Sequence, residues 1–249
     1  MNSDGPMRVA VITPYYREPL EMLRQCHDSV REQTHPCTHF LIADGHARPE
    51  VDDWTCEHFK LSRAHADNGN TPRMFGGVSA KNLGYDAVAY LDADNWFRAD
   101  HVAAMVALHR ASGAAVCTSS RSIHRFDGSL LYVDKHESNG REFCDTSCLF
   151  FTREAFRLLP LWGLMPRELA PACDRVMWAS IRRRGLSCAH FAEPTVAFRT
   201  QYAVHYQNAG ETPPAGVKSN EASTGTSAQW WQSLSPEERN EWNRRFDAV

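Results

Sequence analysis

"AVAYLDADNW", residues 87–96, starts as an apolar strand and ends with two carboxylates, Asp92 and Asp94, around a single alanine. In an extended strand, residues i and i+2 point to one face. If that geometry holds to Asp94, both carboxylates enter the same space and repel, and one of them keeps its proton to higher pH. A divalent cation relieves that cost, and hard oxygen ligands suit Mg²⁺ or Mn²⁺. An EF-hand is excluded, because Phe97 and Ala103 stand where its loop needs a glycine and a bidentate acid. The bland alternative is a strand end whose carboxylates cap a neighbouring helix or face water.

The chain on either side repeats the strand theme. "RVAVITPYY" (8–16) and "HFLIADG" (39–45) are short apolar runs that end in polar residues, and "AAVCTSS" (114–120) supplies a fifth strand. Between the first two, residues 18–33 place Leu20, Leu23, Cys26 or His27, and Val30 on one helical face. A helix near 49–58 and a strand near 59–65 follow. The composition of "ADNGNTPRMFGG" (66–77) predicts a loop, and "GVSAKNLGY" (77–85) a short helix. Residues 99–113 form a helix stopped by Gly113. Strands alternating with helices imply a mostly parallel sheet covered on its faces, an α/β fold. Ligands of such sheets bind beyond the carboxyl ends of the strands. Here those ends carry Thr13-Pro14-Tyr15, Asp44 and Asp92-Ala93-Asp94.

Beyond residue 121 the alternation loosens. A hairpin is expected around Asp127-Gly128, a strand running into a helix over 147–160, a helix over 173–185 with Gly185 at its end, and further strand material over 186–206. Gly, Pro, Ser, Thr and Asn dominate 207–229, which reads as a flexible linker or lid. "SPEERNEWNRRF" (235–246) opens with Ser235, Pro236 and Glu238, a capping-box signature.

The bulk properties exclude several functions. The 249 residues carry a net charge of −3, against a surface that coats nucleic acid. No apolar run reaches the roughly 18 residues of a membrane span, and the N-terminus lacks a signal-peptide pattern. The eight cysteines are scattered through a chain too long to need disulfide staples. They read as reduced thiols of a cytoplasmic protein.

Taken in order, these motifs resemble the family-2 glycosyltransferases with the GT-A nucleotide-sugar-binding fold. The likeness runs from about residue 8 to about 205, through "VAVITPYYREPLEMLRQCHDSVREQTHP", "FLIADG", "AYLDADNW" and "CDRVMWASIRRRGLSCAHFAEPTVAFR". The resemblance implies one domain over 1–206, with a nucleotide-binding half (8–121) and an acceptor half (122–206). A linker and a C-terminal helix follow in 207–249. It also implies a metal-dependent, inverting transfer of a sugar from a nucleotide-diphosphate donor, UDP favoured, to a hydroxyl acceptor. Asp94 would hold the metal directly, Asp92 ribose or a metal water, and His205 the metal as a third ligand. Asp44 would accept a base N–H. Thr13, Pro14 and Tyr15 would border the base, with the Tyr15 ring stacked on it. Arg73 would bridge base or phosphate, and Lys81 would meet the diphosphate. Asp174 would be the base that deprotonates the acceptor, with Asp145 the next candidate.

The chain departs from the family pattern at Gly45-His46 after Asp44, at Cys173 before Asp174, and at Asn95 after Asp94. Each position also has a structural reading. Asp44 with Gly45 favours a turn, Arg73 and Lys81 suit a solvated surface, and Asp174 suits a helix N-cap. A lone histidine such as His205 is often structural. Trp230, Trp231, Trp242 and Phe246 dock the C-terminal helix or offer a sugar platform. The rival functions are a nucleotidyltransferase, which would place a glycine-rich basic loop where "TPYYREP" stands, and a non-catalytic sugar-nucleotide-binding module.

Overall fold

The structure is a computed structural model that describes residues 5–135, 137–219 and 225–248. Its first half alternates as the periodicity requires: β1 (Val9–Tyr15), α1 (Leu20–Arg31), β2 (Cys37–Ala43), β3 (Glu57–Lys60), α2 (Asn70–Asn82), β4 (Ala87–Tyr90), β5 (Trp96–Phe97), α3 (His101–Ser112) and β6 (Val116–His124). The second half adds β7 (Leu130–Val133), β8 (Leu149–Thr152), α4 (Leu161–Leu164), α5 (Cys173–Arg183), β9 (Cys188–Arg199), α6 (Ala203–Asn208), α7 (Thr226–Ser233) and α8 (Pro236–Asp247). The strands form one mixed sheet in the order β3-β2-β1-β4-β8-β6-β9-β5, with β7 paired to β6. β1, β2, β3 and β4 run parallel, so their carboxyl ends share one rim. β8 runs antiparallel between β4 and β6.

The core follows from residue choice. β1, the last five residues of β2, β4 and β8 are buried on both faces, which is why they read as unbroken apolar runs. α1 turns Leu23, Cys26, His27 and Val30 inward, the face its spacing predicts. Residues 66–77 depart from expectation. Instead of a loop ending at Gly77, α2 starts at Asn70, opened by the Asp67 side chain accepting from the Thr71 N–H at 3.0 Å. The glycines that suggest a loop serve packing. A Cβ on Gly76 would lie 2.7 Å from Ile12 Cγ2 and 2.9 Å from Ile42 Cδ1, so only glycine lets α2 lie this close to the sheet.

Three other boundaries move. Residues 49–53 form a 3₁₀ turn rather than a longer helix, and the following strand is Glu57–Lys60. β4 stops at Tyr90, and Asp92 opens a turn closed by Asn95 N–H to the Asp92 carbonyl at 3.0 Å. The i, i+2 rule therefore does not govern Asp92 and Asp94. α7 begins at Thr226, inside the stretch read as a linker, and residues 220–224 of that stretch lie outside the described residues.

The capping box of α8 forms as its sequence predicts, with Glu238 N–H to Ser235 Oγ at 3.2 Å and Ser235 N–H to Glu238 Oε2 at 2.8 Å. Trp230, Trp231, Trp242 and Phe246 pack against the main core, docking the C-terminal helices. Among the described residues no helix is long and apolar enough to cross a membrane.

Gly76→Ala tests the close approach of α2. The added methyl must displace fully buried isoleucine side chains, so a loss of about 1–3 kcal/mol is expected in urea unfolding. A variant as stable as wild type shows that α2 has room to shift.

Candidate active site

The shared rim of β1, β2 and β4 opens into a cleft of about 590 Å³. It is lined by Pro14, Tyr16, Asp44, Arg73 and both acids of the 92–94 turn, and also by Asp145, Asp174, Tyr202, His205 and Lys218. A shallower groove of about 640 Å³ beside α1 contains none of the residues singled out from sequence.

The acidic turn is braced on three sides. Arg73, carried into the cleft by the first turn of α2, donates to Asp92 Oδ1 at 2.5 Å and to the Asn68 carbonyl at 2.7 Å. Ser147 Oγ accepts from the Asp92 N–H at 3.2 Å and from Asn95 Nδ2 at 3.1 Å. Arg199, at the end of β9, donates its Nε to the Asp94 carbonyl at 3.1 Å and its N–H to Asn95 Oδ1 at 2.9 Å. Asn95 therefore fastens the turn, which accounts for an amide there. The Asp94 carboxyl, bonded to Gln201 Nε2 at 3.2 Å, is pushed up to about 7 by burial and by the charges of Asp92 and Glu18. The two carboxylates face one cleft through a turn, where the sequence suggested a strand.

Asp174 lies in the first turn of α5, one residue inside its first helical position, so it is not the N-cap. The cap position is Ala172, and among the described residues the Asp174 side chain bonds only the Arg175 N–H next to it, at 2.7 Å. Burial, and then the charge of Asp145, push its carboxyl up to about 7. Asp145 is placed differently. It accepts from Arg121 at 2.7 Å and caps the 3₁₀ turn Thr146–Cys148 through the Ser147 N–H at 2.9 Å. Its oxygens are engaged, burial raises its own carboxyl above the usual range, and its charge in turn raises that of Asp174.

At the β2 end, Asp44 accepts from the His65 N–H at 2.8 Å, His65 Nδ1 at 3.0 Å and the Ala66 N–H at 2.9 Å. It is both a cleft residue and the anchor of the loop that leads into α2. Tyr15 lines the cleft, as expected, but with little exposed surface. It is 2% exposed, and its hydroxyl bonds His58 Nε2 at 2.6 Å and the Arg48 N–H at 3.0 Å. The next residue, Tyr16, is half-buried, lines the cleft and meets His46 edge-on at 4.6 Å. The strand ends between the two tyrosines, which is why one is core and the other is offered to a ligand.

Three further expectations are corrected by geometry. Thr13 is fully buried, its hydroxyl bonded to His39 Nε2 at 2.9 Å, and does not line the cleft. Lys81 is exposed at the far end of α2, eight residues or about 12 Å along the axis from Arg73. His205 lines the cleft with both ring nitrogens turned to protein, Nδ1 to Thr200 Oγ1 at 2.6 Å and Nε2 toward Glu137 at 3.9 Å. Among the described residues no three His, Cys, Asp or Glu side chains are gathered to hold a metal, so Asp92, Asp94 and His205 do not form a ready-made ligand set. Arg121 is the residue that sequence reading missed. Its guanidinium, buried under the cleft, joins Asp134, Glu137 and Asp145 at 2.7–3.0 Å. Its position within a strand of small polar residues gives no such signal.

Crystal structures of S. aureus TarS share this architecture. The TarS 1–349 complex with UDP superposes with a TM-score of 0.60 at 12% identity, covering 96% of this chain and 70% of that one. The complex with UDP-GlcNAc gives 0.59 at 12% identity, covering 96% and 71%. A further TarS structure, of which this chain spans 43%, gives 0.56. At such identity the likeness establishes the fold, which is GT-A. No curated protein matches the chain. The family model for glycosyl transferase family 2 matches residues 10–158, well over half of the chain, and with the strand order and the acidic cleft it identifies the protein as a glycosyltransferase of that family.

Proposed function

We propose that the protein transfers a sugar from a nucleotide-diphosphate donor, UDP-linked in the favoured reading, to a hydroxyl acceptor, with inversion and with a bound Mn²⁺ or Mg²⁺. The observation that carries this is the convergence of Asp92, Asp94 and Asp174 on one cleft at the carboxyl rim of a parallel sheet. UDP and UDP-GlcNAc in the TarS crystals support UDP as the nucleotide. The nucleotidyltransferase alternative loses support, because β1 runs into Pro14-Tyr15-Tyr16 with no glycine-rich loop. Eight free cysteines agree with a reducing compartment such as the cytoplasm.

The donor atoms fit a hard cation. Among the described residues Asp92 Oδ2 and Asp94 Oδ1 carry no hydrogen bond from a neighbouring side chain, and the Asp94 carboxyl is destabilised as an anion until positive charge arrives. Asp92 and Asp94 would hold the ion, with donor phosphates and water completing its shell. When bound, the ion supplies Lewis-acid neutralisation of the leaving diphosphate. Arg73 fixes the orientation of Asp92, and Tyr16 with His46 forms an aromatic corner for the base. Asp174 takes the proton of the acceptor hydroxyl as that oxygen bonds to the anomeric carbon and the carbon–diphosphate bond breaks. A carboxyl near 7 is a stronger base than an ordinary one and is still substantially ionised at neutral pH.

Asp94→Ala is expected to remove the Mn²⁺-dependent part of UDP binding in calorimetry while the protein stays folded. UDP affinity that keeps its wild-type response to Mn²⁺ overturns the metal assignment.

Asp174→Asn is expected to lower turnover about 10²–10⁴-fold with donor affinity unchanged, because the amide cannot take the proton. In wild type, kcat/KM should fall as pH drops through about 7, where Asp174 protonates. The same shift fixes a sign for stability. The folded carboxyl titrates above its unfolded value, so it costs stability at high pH, and that cost fades as pH falls from about 7 toward 4. At pH 8 the Asn variant should therefore melt no lower than wild type. Transfer at near wild-type rate would return Asp174 to a structural role.

A further inference from the structure

Four side-chain cations line the cleft, and two of them are already committed. Arg73 is bonded to Asp92 and the Asn68 carbonyl, and Arg121 to three carboxylates. Arg175 stands next to Asp174 with its guanidinium 4.6 Å from the Phe143 ring centroid, beside the proposed base. Lys218 makes no ion pair or side-chain hydrogen bond among the described residues. Its Nζ lies 6.0 Å from the centroid of the Tyr202 ring.

The backbone around Lys218 is fixed even though the ammonium is not. Lys218 N–H donates to the Gln201 carbonyl at 2.7 Å, and the Lys218 carbonyl accepts from Ala203 N–H at 2.9 Å, a parallel bridge across Tyr202. The Gln201 side chain is the one that bonds Asp94. A single residue thus ties the Lys218 backbone to the carboxylate proposed to hold the metal. Upstream, Glu211 is ion-paired to Arg125 in the turn of the β6–β7 hairpin, which fastens the start of the same strap. Tyr202, under the ammonium, lines the cleft together with Asp174, Asp145, Asp92 and Asp94.

We infer that Lys218 is a donor-binding residue that contacts the diphosphate from the 209–219 strap. Lysine suits the task, since a flexible point charge follows phosphate oxygens without demanding one geometry. The carboxylates around it give a diphosphate few free cations to meet, and Lys218 is the free one tied to Asp94. It lies outside residues 10–158, so family membership does not assign it. The inference rests on the donor reading above, and the probes are chosen to separate the two.

Calorimetry on the full chain with Mn²⁺ compares wild type, Lys218→Ala and Lys218→Arg, using UDP, uridine and inorganic diphosphate. The expected result is about a tenfold loss of UDP and diphosphate affinity in Lys218→Ala, as for one charge-assisted hydrogen bond. Uridine affinity and melting temperature should be unchanged, because the side chain is exposed. Lys218→Arg should restore most of the loss. Unchanged diphosphate affinity in Lys218→Ala overturns the inference, as does an equal loss for uridine, which would make the strap a wall of the base pocket. Wild type that binds diphosphate but not UDP overturns the UDP reading while the Lys218 comparison is read on diphosphate. Wild type that binds neither overturns both.

Discussion

The ion pair between Arg73 and Asp92 is the constraint around which the cleft is organised. The guanidinium side chain is only 5% exposed, and the carboxylate is partly open to the cleft at 29%. Desolvating such a pair costs several kcal/mol, and well-packed apolar residues commonly serve stability as well. The pair has a positional consequence that an apolar pair would not. It fixes the acidic turn to α2, and α2 is itself pressed onto β1 and β2 through Gly76. A displacement of the helix would carry Arg73 away and leave Asp92 unpaired. The backbone packing that glycine allows and the aim of a carboxylate are one arrangement.

The remaining acids divide by what holds them. Glu137 is kept down at about 2 by the His205 imidazole and the Arg121 guanidinium, so it is a permanent charge. Asp94 and Asp174 are both pushed up to about 7, mainly by burial and then by a neighbouring carboxylate. They stay poised between forms, one where an incoming cation would settle it and one where a substrate proton would. Asp145 is raised by burial as well, but both its oxygens are held by Arg121 and Ser147. Environment, rather than residue type, sets these carboxyls apart.

Local chemistry was legible in the sequence wherever the cause is local. The capping box at Ser235, the glycine stop after α3 and the inward face of α1 depend on residues within a few positions of each other. The Asp92–Asp94 pair was found through strand alternation, yet a turn brings the two together. The inference survived because Ser147, Arg199 and Arg73, all distant in sequence, aim that turn into the cleft. Residues 66–77 were misread because composition records backbone freedom, while Gly76 answers to isoleucines on two strands. Thr13 and Lys81 are expected at the site from their position along the chain. Side-chain direction, set where β1 ends and by the length of α2, decided otherwise.

His205 shows what a residue type alone cannot tell. Imidazole near an acidic pair suggests a metal ligand, and the fold does bring it to the cleft. Thr200 then holds its Nδ1, while Nε2 faces Glu137 at 3.9 Å, and Glu137 is itself paired with Arg121. Arg121 reaches Asp145, whose charge raises Asp174. His205 therefore sits at the outer end of a run of charged groups, Glu137, Arg121 and Asp145, whose last member acts electrostatically on Asp174. To ligate a metal its Nε2 would have to turn from Glu137. The geometry favours histidine as a neighbour that helps keep Glu137 charged, beside Arg121.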